Sequence, residues 1–198
     1  MSSKQDILAG IRRHQIPAAE LPDLNQPWIS YANKPQQFAD LVQSVGGRCA
    51  FVADRTAAHA DLVLNEAYKK AKKVCSTVPG IGIASVNLEV IADPHDLEDL
   101  DFAILPGEFG VAENGAVWVT DKTLRHRVVY FIAQHLVLVI SRDQILDNMY
   151  QAYERLTFSQ SGYGLFISGP SKTADIEQSL VIGAHGARSL TVYVVEAS

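Results

Sequence analysis

The apolar run at residues 136–140, Leu-Val-Leu-Val-Ile, restricts the possible folds more than any other segment of the chain. A strand that is apolar at every position is typically buried on both faces, as in a parallel sheet covered by helices. Shorter apolar or β-branched segments of strand length recur at 48–53, 74–78, 103–105, 116–120, 164–168 and 190–195. The sequence therefore predicts an α/β fold with a mostly parallel sheet.

Helical patterns separate these strands. A stripe of apolar residues with helical spacing follows Pro35 and ends at Gly46. Further helices are predicted at 57–72, 141–156 and 172–183. The helix at 141–156 would begin with a capping box, formed by Ser141 and Gln144. Helices that alternate with parallel strands predict a three-layer α/β/α arrangement.

The N-terminal segment is predicted to form a short amphipathic helix at 2–14, with Ser2 and Gln5 as its capping box. A connector at 17–35 follows and contains Trp28. The connector is either an arm that reaches for a partner or a segment that packs back on the domain through Trp28, and we favour the second. We divide the chain into an N-terminal helix and connector at 1–34 and a main domain at 35–198.

Length and charge exclude several classes of protein. A chain of 198 residues fits one domain with a sizeable core. The net charge of −5 gives no electrostatic reason to expect nucleic acid as a partner. A basic run at 69–73 falls near the end of a predicted helix, where cations are favoured, so we interpret it as a solvated face. No segment has the composition of a signal peptide or of a bilayer span, which predicts a cytoplasmic protein.

The two cysteines, Cys49 and Cys75, lie far apart in apolar runs. Their spacing matches no zinc or iron–sulfur ligand set, and small buried thiols are common in protein cores. We therefore predict no metal or cofactor site in this chain. Any iron–sulfur cluster in an associated redox process would belong to a partner protein.

The first candidate site is the polar segment that begins at the end of the strand at 164–168. Its candidate ligand-binding residues are Ser168, Gly169, Pro170, Ser171, Lys172, Thr173, Asp175 and Glu177. With a helix at 172–183, this segment lies where a strand leads into a helix, the place at which open α/β sheets bind ligands. The first N–H groups of that helix would form an anion site. Equally, the two carboxylates could simply suit the positive end of the helix dipole.

The second candidate site is a glycine-rich loop at 105–116. Asn114-Gly115 is a strong turn signal that leads directly into the strand at 116–120, and both residues are candidate ligand-binding positions. Glu113 is the candidate catalytic residue. A catalytic glutamate needs partial burial or a positioned electrophile. The alternative is an acid in an exposed turn, which costs little.

His185 lies in a tight connection before the last strand, with Gly183 and Gly186 near it. Beside a helix at 172–183, that connection would lie at the opposite end of the sheet from the helix N-terminus, so His185 and Asp175 need not share a site. His185 is therefore equally a turn residue or a ligand-binding residue. The arginines of Arg125-His126-Arg127 could bind a carboxylate or phosphate, or belong to a solvated loop.

These segments together resemble the LUD-domain family, and in particular the lactate utilization protein C group. The stretch at 168–178, followed by Gly183-x-His185-Gly186 and a closing strand, resembles the C-terminal signature of that family. The turn at 112–115 is similar to its second marker. The resemblance covers the chain from about residue 35 onward and implies a fold of the NagB/RpiA/CoA-transferase-like group. Ala187 stands where a proline is common in the family.

The resemblance also implies a function. The family is associated with bacterial growth on lactate, as one component of an iron–sulfur-dependent system that oxidises L-lactate to pyruvate. The chain would then be a non-redox accessory subunit, with the iron–sulfur clusters on its partners. One alternative is a CoA-transferase-like or isomerase-like enzyme, because Glu-Asn-Gly resembles the active-glutamate turn of CoA transferases and Glu113 would then attack an acyl-CoA. Another is a binding module for a small anionic metabolite at 168–177.

Overall fold

A five-stranded sheet, in which every neighbouring pair of strands is parallel, lies at the centre of the fold. The computed structural model describes residues 3–14, 19–20, 22–156, 162–174 and 180–196. The strands are β1 (Arg48–Val52), β2 (Val74–Ser76), β3 (Phe102–Pro106), β4 (Phe109–Val111), β5 (Ala116–Thr120), β6 (His135–Ser141), β7 (Ile145–Leu146), β8 (Gly164–Ile167), β9 (Lys172–Ala174), β10 (Leu180–Ile182) and β11 (Ser189–Val195). The α-helices are α1 (Ser3–Arg13), α2 (Lys34–Ser44), α3 (Arg55–Leu62), α4 (Glu66–Lys70), α5 (Val129–Ile132) and α6 (Met149–Arg155). Short 3₁₀ turns occur at Leu88–Val90, Pro94–Leu97 and Arg142–Gln144.

The central sheet has the strand order β1-β11-β6-β3-β2 and is buried on both faces. Along β6, Leu136, Leu138 and Ile140 belong to one apolar cluster. The alternate residues Val137 and Val139 belong to a second cluster. Successive side chains of a strand point to opposite faces, so a strand that is apolar at every position supplies both layers. This confirms the prediction from the apolar run.

Helices cover the two faces of this sheet. Phe38 and Val42 of α2 pack in the first cluster, whereas Ala58 and Leu62 of α3 pack in the second. Helix α2 follows the cap residue Asn33, whose side chain accepts a hydrogen bond from the Gln36 amide. The predicted α/β fold, with helices on both sides of a parallel sheet, is confirmed.

A second, four-stranded sheet was not foreseen from the sequence. Its strand order is β7-β4-β5-β8, with β5 antiparallel to both of its neighbours. Val117 and Val119 of β5 belong to the first cluster, while Trp118 packs in a third cluster that includes Phe109 and Ala152. The glycine-rich turn with Glu113 connects β4 to β5, so this sheet positions the second candidate site.

The single helix predicted at 57–72 is wrong. Two helices, α3 and α4, occupy this region. The Asp54 side chain caps the first and the Asn65 side chain caps the second, where it accepts from the amides of Ala67 and Tyr68. A cap residue inside a helical pattern starts a new helix because its side chain satisfies the amides that would otherwise bond to the preceding turn.

The helix predicted at 141–156 is also wrong in its first half. Ser141 makes no side-chain capping bond, and the chain passes through a 3₁₀ turn into the short strand β7. Helix α6 begins only at Met149, with Asn148 as its cap. Pairing with β4 draws residues 145–146 into the second sheet, a long-range contact that no local pattern indicates.

The helix predicted at 172–183 is replaced by an antiparallel hairpin of β9 and β10, in which Thr173 pairs with Val181. Residues 175–179, which include Asp175 and Glu177, lie outside the described part of the chain. Short runs of Val and Ile are compatible with either helix or strand, and β-branched side chains favour the strand. The helix N-terminus proposed as an anion site at this place is therefore absent among the described residues.

The N-terminal helix is confirmed as α1, although Ser2 of its predicted capping box lies outside the described residues. The connector packs back on the domain, as favoured from the sequence. The Trp28 ring stacks on Tyr150 of α6 with ring centroids 5.1 Å apart. The Asn148 side-chain amide donates to the Ile29 carbonyl oxygen at 2.7 Å.

His135, at the start of β6, provides a pH-dependent test of this fold. Its ring stacks on Phe102 with centroids 4.6 Å apart, and its Nδ1 lies 2.8 Å from Ser189 Oγ. Burial, and then the positive charge of Arg188, lower the pKa of His135 below its ordinary value. The unfolded chain therefore takes up this proton first as the pH falls, and stability is lost below an unfolded pKa of about 6.5.

We expect His135→Gln to flatten the decrease in melting temperature between about pH 7 and pH 5, because the variant has no imidazole to protonate on unfolding. Thermal unfolding by circular dichroism across this pH range measures the slope. An unchanged slope would show that the half-buried His135 imidazole does not contribute to the loss of stability at low pH.

Candidate functional site

The two candidate loops meet in the structure. The Ser168 hydroxyl, just beyond β8, donates to the Asn114 carbonyl oxygen at 2.9 Å. Asn114 Oδ1 in turn accepts from the Ala116 amide at 3.1 Å, which holds the turn in shape. The segment after β8 and the Glu113 turn are thus neighbours, although they lie more than fifty residues apart in sequence.

Both loops press against the end of α2 through glycines. Gly115 has φ +65°, and a Cβ atom there would lie 2.7 Å from the Val42 amide nitrogen. Gly169 has φ +73°, and a Cβ atom there would lie 2.6 Å from the Val45 carbonyl oxygen. Glycine satisfies both demands, a left-handed backbone and a close approach of one backbone to another. Helix α2 therefore fixes the distance between the two loops.

Glu113 is exposed at the tip of its turn and is held by α6. Its Oε2 accepts a hydrogen bond from the Met149 amide at 2.8 Å, in the first turn of that helix. Its own amide donates to the Asp147 carbonyl oxygen at 3.0 Å. A carboxylate at a helix N-terminus satisfies an otherwise unpaired amide, so Glu113 has a structural task in addition to any chemical one.

Ser171 and the connection that carries His185 lie side by side. The Ser171 amide donates to the Ala187 carbonyl oxygen at 2.8 Å, and the Gly183 amide donates to the Ser171 carbonyl oxygen at 3.0 Å. His185 itself is exposed. The expectation that its connection lies at the opposite end of the sheet from the start of 172–183 is wrong, because the two ends of a hairpin are adjacent whereas those of a helix are not.

The remaining residues of the first candidate segment take different places. Pro170 is buried, and Lys172 is exposed with its ammonium group close to Gly46. Thr173 is half-buried in β9. The structure thus brings Ser168, Gly169 and the Glu113 turn together, while Lys172 and Thr173 belong to the hairpin.

Asp147 and Asn148 form the junction that sequence reasoning missed. Both side chains are buried. Asp147 Oδ1 accepts from the Tyr31 amide at 2.9 Å, and Asn148 Oδ1 caps α6 by accepting from the Gln151 amide at 2.9 Å. The pair therefore ties the connector, α6 and the Glu113 turn into one unit. Asn ahead of a helical stripe is a cap signal that could have located it.

The basic cluster after β5 is engaged with neighbouring segments. The Arg125 guanidinium donates to the Glu89 carbonyl oxygen, and His126 Nε2 lies 2.9 Å from the Ile91 carbonyl oxygen. The Arg127 guanidinium lies over the Tyr163 ring, 5.2 Å from its centroid. These contacts hold the segment at 89–91 and the start of β8 against the domain.

Within the residues that the structure describes, no group of three or more histidines, cysteines and carboxylates could hold a metal ion. None of the helices in those same ranges is both long and apolar enough to span a bilayer.

The central parallel sheet and the helices on both of its faces define the chain as an α/β protein. The chain belongs to the LUD domain family, since the family's sequence model matches residues 36–195. This confirms the resemblance inferred from the two motifs.

Similar proteins share part of this chain. One is lactate utilization protein C of Bacillus pumilus, 27% identical over 115 residues, which cover 54% of this chain and 48% of that protein. Another is lactate utilization protein C of Halalkalibacterium halodurans, 32% identical over 105 residues, which cover 50% of this chain and 46% of that protein. The chain thus spans about half the length of the curated relatives it matches.

A solved structure shares the fold. The crystal structure of a DUF162 family protein from Deinococcus radiodurans superposes with a TM-score of 0.60 and 19% sequence identity. The match covers 85% of this chain and 99% of that one. The likeness therefore extends over nearly the whole arrangement described above.

The structural task of Glu113 can be tested directly. We expect Glu113→Ala to lower the free energy of unfolding by about 1 kcal/mol, because the Met149 amide loses its acceptor at an exposed helix end. Glu113→Gln, which keeps an amide oxygen at the same place, should recover most of this loss. Urea unfolding followed by circular dichroism measures both. If neither variant differs from the original protein, the contact contributes nothing in solution.

Proposed function

We propose that this chain is a non-redox component of an iron–sulfur-dependent system that oxidises L-lactate to pyruvate. The observation that carries the proposal is the family match over residues 36–195, together with relatives that bear the name lactate utilization protein C. The matched region covers about half of each relative. The role in lactate oxidation is therefore our inference from the name of these relatives and from the chemistry of the reaction.

Oxidation of lactate to pyruvate removes two electrons and two protons, so it needs an electron acceptor. The two cysteines of this chain cannot jointly bind an iron–sulfur cluster that would accept these electrons. Cys49 and Cys75 lie on β1 and β2, the two edge strands of the central sheet. Four strand spacings separate those strands, about 19 Å, which is too far for two ligands of one cluster.

The protonation of the two thiols also supports a non-redox role for this chain. Burial raises the pKa of Cys49 to about 12 and that of Cys75 to about 12. Metals bind the thiolate, so a thiol that stays protonated at neutral pH is a poor ligand and a poor nucleophile. We therefore assign the electron-carrying clusters to partner proteins.

Reconstitution tests the proposal. The chain is co-expressed with candidate iron–sulfur proteins from the same organism, and lactate-dependent reduction of an electron-accepting dye is measured with and without it. We expect dye reduction to require this chain and the chain to co-purify with its partners. Partners that oxidise lactate at full rate without it would overturn the proposal.

The double variant Cys49→Ala/Cys75→Ala tests the non-redox part. It should support the same rate of dye reduction as the original chain, once circular dichroism has shown that it is folded. A folded double variant that fails to support lactate oxidation would contradict the assignment of the clusters to partners.

An enzyme that acts through Glu113 is the second candidate. Two observations support it: the carboxylate is exposed, so a substrate can reach it, and the next residue of its turn, Asn114, accepts a hydrogen bond from the Ser168 hydroxyl through its carbonyl oxygen. Attack on an acyl-CoA would form an anhydride between the Glu113 carboxylate and the acyl group, with release of CoA thiolate. The contact of Oε2 with the Met149 amide leaves Oε1 as the oxygen that would react. Mass spectrometry after incubation with acetyl-CoA and succinyl-CoA tests this, and an unmodified Glu113 peptide would reject it.

A further inference from the structure

Helix α1 exposes the side that carries its large apolar residues. Ile7, Leu8 and Ile11 fall within an arc of about 100° around the helix axis, so they share one side. Their side chains are 62%, 41% and 58% exposed, and no residue of α1 is buried. A helix of 11 residues is only marginally stable alone in water, so this apolar side needs a surface to cover it.

The rest of the same chain leaves that side uncovered. The connector that follows α1 is fixed on α6 through the Trp28 ring and the Ile29 carbonyl oxygen. With this anchor in place, α1 still has no buried residue. The covering surface therefore belongs to another molecule.

The charges of α1 indicate what that surface is. Lys4, Arg12 and Arg13 outnumber the single acid Asp6, whereas the whole chain has a net charge of −5. Two α1 helices packed on each other would bring their cations together in either orientation, which is unfavourable. An anionic membrane would attract α1 but repel the acidic remainder of the chain. The charges thus favour a protein surface that is acidic and has exposed apolar side chains.

The connection between β2 and β3 provides a surface with exposed apolar side chains. Ile83 and Val90 are 73% and 74% exposed. Between them, residues 84–89 line one wall of a groove of about 390 Å³, and Ala84 and Val86 add apolar atoms to this wall. We refer to residues 83–98 as the β2–β3 surface. Its exposed apolar residues match the apolar side of α1 in kind.

The β2–β3 surface is also acidic. It carries four exposed carboxylates, which are Glu89, Asp93, Asp96 and Glu98. The last three lie around the exposed ring of His95, whose Nδ1 is 2.6 Å from Asp93 Oδ1. The Arg125 guanidinium donates to the Glu89 carbonyl oxygen and offsets one of these negative charges. An excess of negative charge remains, opposite in sign to that of α1.

We propose that α1 of one chain packs on the β2–β3 surface of a second copy, and that the second α1 does the same in return. The apolar side of α1 then covers Ile83 and Val90, and Arg12 and Arg13 lie near the carboxylates. A reciprocal exchange has two-fold symmetry and closes as a dimer. Apolar burial drives the association, and the charges make it weaker at high salt.

Sedimentation velocity of the full chain tests the proposal. Between about 1 and 100 μM, the range in which modest interfaces dissociate, we expect a monomer–dimer equilibrium that shifts toward monomer when salt is added. Ile7→Ser/Ile11→Ser should remain monomeric. The control is Leu24→Ser, which removes an exposed apolar side chain from the connector and should dimerise as the original chain does. A monomeric original chain, or an Ile7/Ile11 variant that dimerises normally, would overturn the proposal.

An exchange of charges tests which surface α1 covers. Arg12→Glu/Arg13→Glu and Asp96→Lys/Glu98→Lys each place like charges on α1 and the β2–β3 surface, so each should self-associate about tenfold more weakly or worse. In an equimolar mixture of the two variants, every α1 meets a surface of opposite charge in the mixed pair. We therefore expect the mixture to recover dimers. A mixture that associates no better than the separate variants would show that α1 docks elsewhere.

Co-sedimentation with vesicles of phosphatidylserine and phosphatidylcholine tests a lipid surface as the occupant instead. We expect the full chain to stay in the supernatant. Binding to the vesicles that Ile7→Ser/Ile11→Ser abolishes would assign the apolar side of α1 to a membrane and would overturn the dimer.

Discussion

Gly115→Ala is expected to lower the free energy of unfolding by about 3 kcal/mol, the larger of two effects that the structure predicts. Its backbone is left-handed, with φ +65°, which costs an alanine about 1 kcal/mol. In addition, the new Cβ atom would lie 2.7 Å from the Val42 amide nitrogen and 2.9 Å from the Leu41 carbonyl carbon. Both contacts are to backbone, so no side chain can rotate away, and the turn must separate from α2.

A second glycine separates the two causes. Gly80 also has a positive φ, +83°, but the nearest atom to an added Cβ is Arg55 Cβ at 3.8 Å. Gly80→Ala should therefore cost only about 1 kcal/mol, the price of the backbone conformation alone. Urea unfolding of both variants measures the difference. Equal losses would show that the close approach of the Glu113 turn to α2 is not present in solution.

Asn148→Ala is expected to lower the free energy of unfolding by about 2–3 kcal/mol. The variant loses the cap of α6, worth about 1 kcal/mol, and also the part-buried hydrogen bond of the Asn148 side chain to the Ile29 carbonyl oxygen. Because this bond fixes the connector, the Trp28 ring should also leave its stacked position on Tyr150. We expect the Trp28 fluorescence to shift to longer wavelength, while the emission of the buried Trp118 stays unchanged.

Asn65→Ala provides the matched comparison. Asn65 caps α4 through the amides of Ala67 and Tyr68, but it is exposed and holds no distant segment. Its loss should cost about 1 kcal/mol and leave the Trp28 emission unchanged. If the two variants lose the same stability, or if Trp28 is unaffected in the Asn148 variant, the bond to Ile29 does not anchor the connector.

Gly115 and Asn148 bear on function because each holds part of the unit made by the Glu113 turn, the connector and α6. Asp147 accepts from the Tyr31 amide of the connector and, through its carbonyl oxygen, from the Glu113 amide of the turn. A loosened connector should therefore disturb the Glu113 turn as well. The N-terminal segment and the candidate site are therefore mechanically linked.

Local patterns were sufficient for the elements that lie in the centre of the fold. The run at 136–140 predicted a strand buried on both faces, and β6 supplies both apolar clusters. Pro35, the apolar stripe and Gly46 predicted α2 nearly to its ends. In each case the periodicity of the apolar residues matches the geometry of one element, and burial in the tertiary structure reinforces the local preference.

Local patterns failed where two conformations suit the same residues. The segment at 180–182 is apolar and β-branched, which is compatible with a buried helix turn or with a strand. Pairing with 172–174 made it a strand, and this removed the predicted anion site at a helix N-terminus. The same holds for 145–146, which pairs with β4 although its local spacing continues that of α6.

The sequence by itself determined the parallel sheet, its helical covering and membership of the family, because apolar periodicity and motif residues are written along the chain. Only the tertiary structure decided which segments meet. The bond of Ser168 to Asn114, the nearness of Ser171 to the His185 connection and the junction at Asp147 and Asn148 all join residues that are distant in sequence. Such contacts depend on strand pairing and on close backbone approach, which have no local signature.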